Sequence, residues 1–133
     1  MSTKSFLFGI ILLGLGVGNL GSTLHSSYAD NTPAEGFIAL GTEPFWNVKV
    51  TGDEIVFSSP TIDEQKYPYS EPMTGLGRPA DVVRVYPLQG NPNGFLILKQ
   101  DKSCSDGMSD NVYPYSATVI RGSEVLEGCA KKR

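Results

Sequence analysis

Phe45-Trp46-Asn47-Val48-Lys49-Val50-Thr51-Gly52-Asp53-Glu54-Ile55-Val56-Phe57-Ser58 is the stretch that decides the fold class. Apolar and polar residues alternate through its first half. Trp46, Val48 and Val50 therefore share one face of an extended strand, while Asn47, Lys49 and Thr51 share the other. Thr51-Gly52-Asp53 supplies turn chemistry, after which Ile55 and Phe57 resume the same alternation. The unit is a β-hairpin that turns one face to a core.

Outward from this hairpin, runs rich in Val, Ile, Phe and Tyr alternate with clusters of Gly, Pro, Asn and Asp, and no segment keeps a helical apolar period. Strands are expected at 36–40, 45–51, 54–58, 81–88, 95–100, 113–121 and 124–129, with a weaker one at 66–69. Turn signals at Gln89-Gly90-Asn91-Pro92-Asn93-Gly94 and at Arg121-Gly122-Ser123 make chain neighbours antiparallel partners. Seven or eight such strands have two edges to protect. The expectation is an all-β domain, either a small antiparallel up-and-down barrel, which is favoured, or a tight sandwich. Residues 59–79, with four prolines and two glycines, read as the longest irregular segment and as a cover for one open end.

The chain has 133 residues, enough for one small domain behind a leader. Lys4 and the apolar or Gly run 6–18 have the form of a signal peptide, too short to cross a bilayer before Asn19, Ser22 and Thr23 end it. Ser27 and Ala29 put small residues at −3 and −1, so residues 1–29 are expected to be removed and 30–133 to form the domain. No cysteine lies near that point to take a lipid, so a periplasmic or secreted protein without stable membrane insertion is expected. Lys plus Arg number 11 against 14 Asp plus Glu, which leaves no basic surplus for nucleic acid. Lys131, Lys132 and Arg133 read as a frayed, solvated end.

The single histidine, His25, falls in the expected leader. The domain then lacks an imidazole for a Ser-His-Asp or Cys-His site or a His-ligated zinc. Cys104 and Cys129 are an even pair in an oxidising compartment and are expected to form a disulfide.

Three motifs carry possible function. Gly41-Thr42-Glu43-Pro44-Phe45-Trp46 sets a carboxylate and a proline before two aromatics that must face opposite sides of a strand. Trp46 reads as a plug of the barrel base, and Glu43 and Phe45 as a binding mouth. Asp101, Asp106, Asp110 and Asn111 surround Cys104 in an acidic loop that suits an Asx-turn better than a calcium site, with Met108 a possible apolar contact. Tyr67-Pro68-Tyr69-Ser70 recurs as Tyr113-Pro114-Tyr115-Ser116, with packing favoured over ligand stacking.

GTEPFW at 41–46, CSDGMSDNVYPYSATV at 104–119 and LEGCA at 126–130, in this order, resemble a family of small, uncharacterised bacterial envelope domains, periplasmic or lipoprotein-like and sometimes associated with META/HslJ-type domains. The resemblance implies an envelope location and a disulfide; the lipidation cysteine of the lipoprotein members is missing here. As a plan of fold alone, the chain is also similar to the small disulfide-bearing barrels that inhibit C-type lysozyme. The function expected from the residues is a monomeric, non-enzymatic envelope module without cofactor or metal. It would bind a protein, peptide or glycan through Glu43, Phe45, Trp46, Asp106, Met108, Asp110, Tyr113 and Tyr115. The alternatives are a structural or stress-protective barrel without a specific ligand and, less favoured, a carboxylate-based hydrolase using Asp106, Asp110 or Glu43.

Overall fold

A computed structural model describes residues 34–133, with Gly14, Gly16, Gly18 and Gly21 ahead of them. The expected signal peptide and its cleavage point lie outside the described residues. Nine strands follow one another without a helix among the described residues: β1 (Phe37–Thr42), β2 (Phe45–Val50), β3 (Glu54–Ser59), β4 (Ile62–Pro68), β5 (Met73–Thr74), β6 (Val83–Leu88), β7 (Gly94–Ser105), β8 (Val112–Arg121) and β9 (Glu124–Lys132). They form one curled antiparallel sheet in the order β4-β3-β2-β1-β9-β8-β7-β6-β5.

Every chain neighbour except β4 and β5 pairs antiparallel, and the shortest connections carry the expected turn chemistry. Thr51 shows how: its hydroxyl accepts from the Asp53 and Glu54 amides while its own amide donates to the Glu54 carbonyl. The exceptional pairing is β1 with β9, from Phe37 opposite Lys132 to Leu40 opposite Cys129. It joins the two ends of the domain, so the barrel seam falls in mid-chain between β4 and β5. Side chains bridge that seam where a ladder is missing: Gln65 Nε2 donates to the Asn91 carbonyl at 2.7 Å and Tyr67 Oη to the Pro92 carbonyl at 3.0 Å.

The alternation read from Phe45–Ser58 holds. Trp46, Val48, Val50, Ile55 and Phe57 are buried in one core with Phe37, Leu96, Leu98 and Val119. Three expectations change. The sheet has nine strands rather than seven or eight, and the two-residue β5 falls with β4 inside the segment 59–79 read as irregular. Residues 62–68 form a full strand where only a weak one at 66–69 was expected, because an edge strand tolerates polar positions and Asp63, Glu64 and Lys66 hid its period. The C-terminal basic residues are not frayed: Lys132 ends β9 and the Arg133 amide donates to the Gly36 carbonyl.

Gly41 lies opposite Trp46 in the β1–β2 ladder, and the indole lies across it. A Cβ on Gly41 would sit 2.0 Å from Trp46 Nε1, and one on Gly128 would sit 1.9 Å from the Leu40 carbonyl oxygen. The two glycines make the notch that lets Trp46 lie 4% exposed with Nε1 donating to the Glu127 carbonyl at 3.3 Å. Gly41→Ala is expected to lower stability by about 1–3 kcal/mol through this overlap. Gly52→Ala, whose nearest neighbour would be 3.7 Å away, is expected to stay within about 0.5 kcal/mol of the parent in the same denaturant titration.

Candidate functional site

The β7–β8 hairpin departs from a plain ladder. Gln100 pairs with Tyr115, but the next pair is Cys104 with Tyr113, so Asp101, Lys102 and Ser103 stand opposite Pro114 alone. Proline has no amide to offer, and the excess residues form a bulge held by the Ser103 amide donating to Asp101 Oδ1. Beyond the bulge the hairpin tip is tied to β9 by the Cys104–Cys129 disulfide. Ala39 and Ala130 pair within the core, so the adjacent pair Leu40 and Cys129 faces outward. Cys129 is nevertheless fully buried, and with Tyr113 it lies outside the main core cluster. The tip is therefore folded against the outer face of β9 and β1.

Asp106 organises the tip. Its carboxylate accepts from the amides of Met108 and Ser109 at 2.9 and 2.8 Å, from the Ser109 hydroxyl at 2.7 Å and from the Tyr113 hydroxyl at 3.2 Å. These donors, the Ser109 hydroxyl first, hold its pKa down at about 2. Gly107 takes a positive φ of 74° inside this Asx-turn. The Asp106 carbonyl in turn accepts from Thr42 Oγ1 at 2.6 Å, which brings the tip onto the GTEPFW bend.

Between bend and tip lies an open depression of about 300 Å³, lined by Thr42, Glu43, Ser105, Asp106 and Glu127 over the Gly41 and Gly128 backbone. Glu43 and Glu127 are exposed, and Met108 is 65% exposed on the tip. The structure thus brings together Glu43 and Asp106, with Met108 and exposed Asp110 on the same loop. Phe45, 54% exposed, turns to a different cleft on the other side of the bend. Trp46, Tyr113 and Tyr115 are buried, although Trp46 still lines the cleft of Phe45 and Tyr113 a shallow hollow beside Val112. Trp46 is the core plug, Tyr113 braces Asp106, and Tyr115 Oη donates to Asp81 at 2.7 Å. Alternation placed Trp46 and Tyr115 in the core, whereas Tyr113 is buried outside the core cluster with the tip, and the Tyr-Pro-Tyr echo serves packing.

Two polar clusters went unread. Arg84 and Arg121 are both buried at opposite ends of the barrel. Arg84 lies over the Phe37 ring, is paired with Asp81 and Glu35, and is joined by Lys132, whose Nζ lies 3.0 Å from Glu35. Arg121 lies over the Phe57 ring and donates to Tyr67, Glu124 and Gln65. The available signal was phase: Arg84 shares the inward period of Tyr86 and Leu88, and Arg121 that of Ala117 and Val119. The Tyr115 hydrogen bond, and then that from Arg84, hold the Asp81 pKa at about 2. Among the described residues no group of three or more His, Cys, Asp or Glu side chains converges as metal ligands.

Comparison with protein-family models, with curated proteins and with solved structures gives no match. The disulfide points to an oxidising, extracytoplasmic compartment. Among the described residues no helix is long and apolar enough to cross a membrane.

The bridge closes a loop of 25 residues. Replacing both cysteines by serine is expected to cost about 3–4 kcal/mol. Amide exchange should accelerate first at 103–113 and in the facing bend at 41–44; a uniform acceleration would show that the tip has no separate anchorage. Asp81 and Asp106 have native pKa values of about 2, below the usual carboxylate value, so the stability they contribute is present above about pH 4 and is lost as pH falls from there toward 2. An Asp81→Asn, Asp106→Asn variant should melt lower than the parent at pH 6 and lose less on going to pH 2.5, roughly the window set by those two values.

Proposed function

We propose that this protein is a non-enzymatic, extracytoplasmic binding module, periplasmic or secreted, that takes a basic segment of a partner, a lysine-bearing peptide or an amine-bearing glycan, in the depression between the GTEPFW bend and the disulfide-tied tip. The observation that carries this reading is the Thr42–Asp106 contact, which fixes two polar loops against each other with Glu43 and Glu127 exposed beside them. A rigid, pre-formed site loses little order on binding, and carboxylates around it favour cationic groups. Met108 offers an adaptable apolar contact at the edge. Against a carboxylate hydrolase stands the state of Asp106: with its carboxylate enclosed by four donors and held ionised, it is a poor general acid.

The test is an amide chemical-shift titration with a lysine-containing hexapeptide, its Nζ-acetylated counterpart and a chitosan oligomer. The amine forms are expected to shift resonances at 41–43, 105–110 and 127–128, and Glu43→Gln, Glu127→Gln should abolish the shifts without altering the fold. Asp106 is left intact because its replacement would undo the tip itself. Absence of any shift, or equal shifts with the acetylated peptide, would leave a structural barrel without a specific ligand as the better account.

A further inference from the structure

A second cleft adjoins the GTEPFW bend, lined by Pro44, Phe45 and Trp46 where the depression just described is lined by Gly41, Thr42 and Glu43. The turns after β1, β3, β6 and β8 all lie at one end of the barrel, as the registers Thr42 opposite Phe45, Ser59 opposite Ile62, Leu88 opposite Gly94 and Arg121 opposite Glu124 require. A cleft of about 220 Å³ opens there. Its walls are Phe45, Phe57, Ile62 and Leu126, with Pro44 and Pro60 at the turns, and Arg121 also lines it.

Arg121 is unusual in how its charge is balanced. Its side chain is 4% exposed, yet its single acidic partner, Glu124 at 3.2 Å, is 53% exposed on the rim. Its other acceptors, Tyr67 Oη at 3.3 Å and Gln65 Oε1 at 3.0 Å, are neutral. Arg84 at the opposite end provides the contrast: two carboxylates hold it. A guanidinium carries five N–H donors, and three of those of Arg121 are engaged by protein oxygens. The mouth thus presents a desolvated cation that keeps spare donors, apolar walls around it, and a counter-ion free to swing into water.

We propose that this mouth binds a monocarboxylate carrying a short apolar chain, whose carboxylate takes the place of Glu124 on Arg121 and whose chain lies between Phe45, Ile62 and Leu126. A free short-chain acid and the C-terminal carboxylate of a peptide ending in an apolar residue present the same chemistry. The inference is independent of the proposed basic-ligand site, since Glu43 and Glu127 do not line this cleft.

The experiment uses the disulfide-bonded protein, titrated with hexanoate, N-acetyl-leucine and hexanol while the Arg121 Nε–H and the methyl resonances of Ile62 and Leu126 are followed. Both carboxylates are expected to shift them, and hexanol to leave the Arg121 Nε–H unmoved. Glu124→Gln keeps an acceptor for Arg121 while removing the competing charge, and should tighten carboxylate binding by about tenfold, with an unchanged amide spectrum of the core strands as the check that the domain still folds. Tighter binding of hexanoate than of N-acetyl-leucine would identify a free acid as the source, and the reverse order a peptide terminus. If neither carboxylate moves these resonances in Glu124→Gln, or if hexanol binds as well as hexanoate, Arg121 is only a structural plug and the proposal is overturned.

Discussion

The ladder between β1 and β9 is the constraint on which the other features of this domain rest. Phe37–Leu40 meets Cys129–Lys132 across almost the full length of the described chain, and no other strand pairing joins the first four strands to the last five among the described residues. Closing so long a loop costs entropy that only the completed core returns. The same ladder puts Gly128 beside the Leu40 carbonyl, which makes half of the notch for Trp46, and turns Cys129 outward where the hairpin tip can be tied to it. Core, plug and tip are therefore consequences of one register.

Because that ladder joins the chain ends, the sheet has to be left open elsewhere, and it is open between β4 and β5. The protein closes this gap with side chains. Gln65 and Tyr67 reach from the edge strand to the β6–β7 turn, and Arg121 reaches from β8 to both of them. A buried guanidinium suits this role, since its planar fork can bond several oxygens in fixed directions while its face lies on Phe57. Desolvating the charge is costly, and the hydrogen bonds and the Glu124 pair offset that cost. The polar edge strand also discourages pairing with another chain.

The hairpin tip uses a different device. It has no share in the main core, so its order comes from a covalent link, from the Asp106 turn and from the Thr42 contact. Local order built from hydrogen bonds and one crosslink leaves the polar groups of the tip at the surface, beside a bend that the core holds rigid. Such an arrangement gives a small domain a defined polar surface without the loss of core that an internal cavity would bring.

Much of this was legible in the residues. The period-two alternation through Phe45–Phe57 fixes β structure, the inward face and the burial of Trp46, and turn residues fix which strands are sequential partners. The disulfide followed from cysteine count and compartment. Strand β4 was read only as a weak segment at 66–69 because an edge strand need not alternate in hydrophobicity, and the phase of Arg84 and Arg121 was visible but reads as noise until a partner is known. Tyr115 belonged on an inward face by the same alternation that identified the strand, while the bulge opposite Pro114 carries Tyr113 out of the core with the tip; aromatic residues in a loop-flanking motif suggest a surface equally well. The sequence by itself determined most of the strands, their faces and their local turns, since those depend on residues close in the chain. Only the tertiary structure decided that the first and last strands pair, that the tip lies on the bend, and that Glu43 and Phe45 line separate hollows. Those outcomes depend on register between distant segments, which side-chain chemistry read along one chain does not encode.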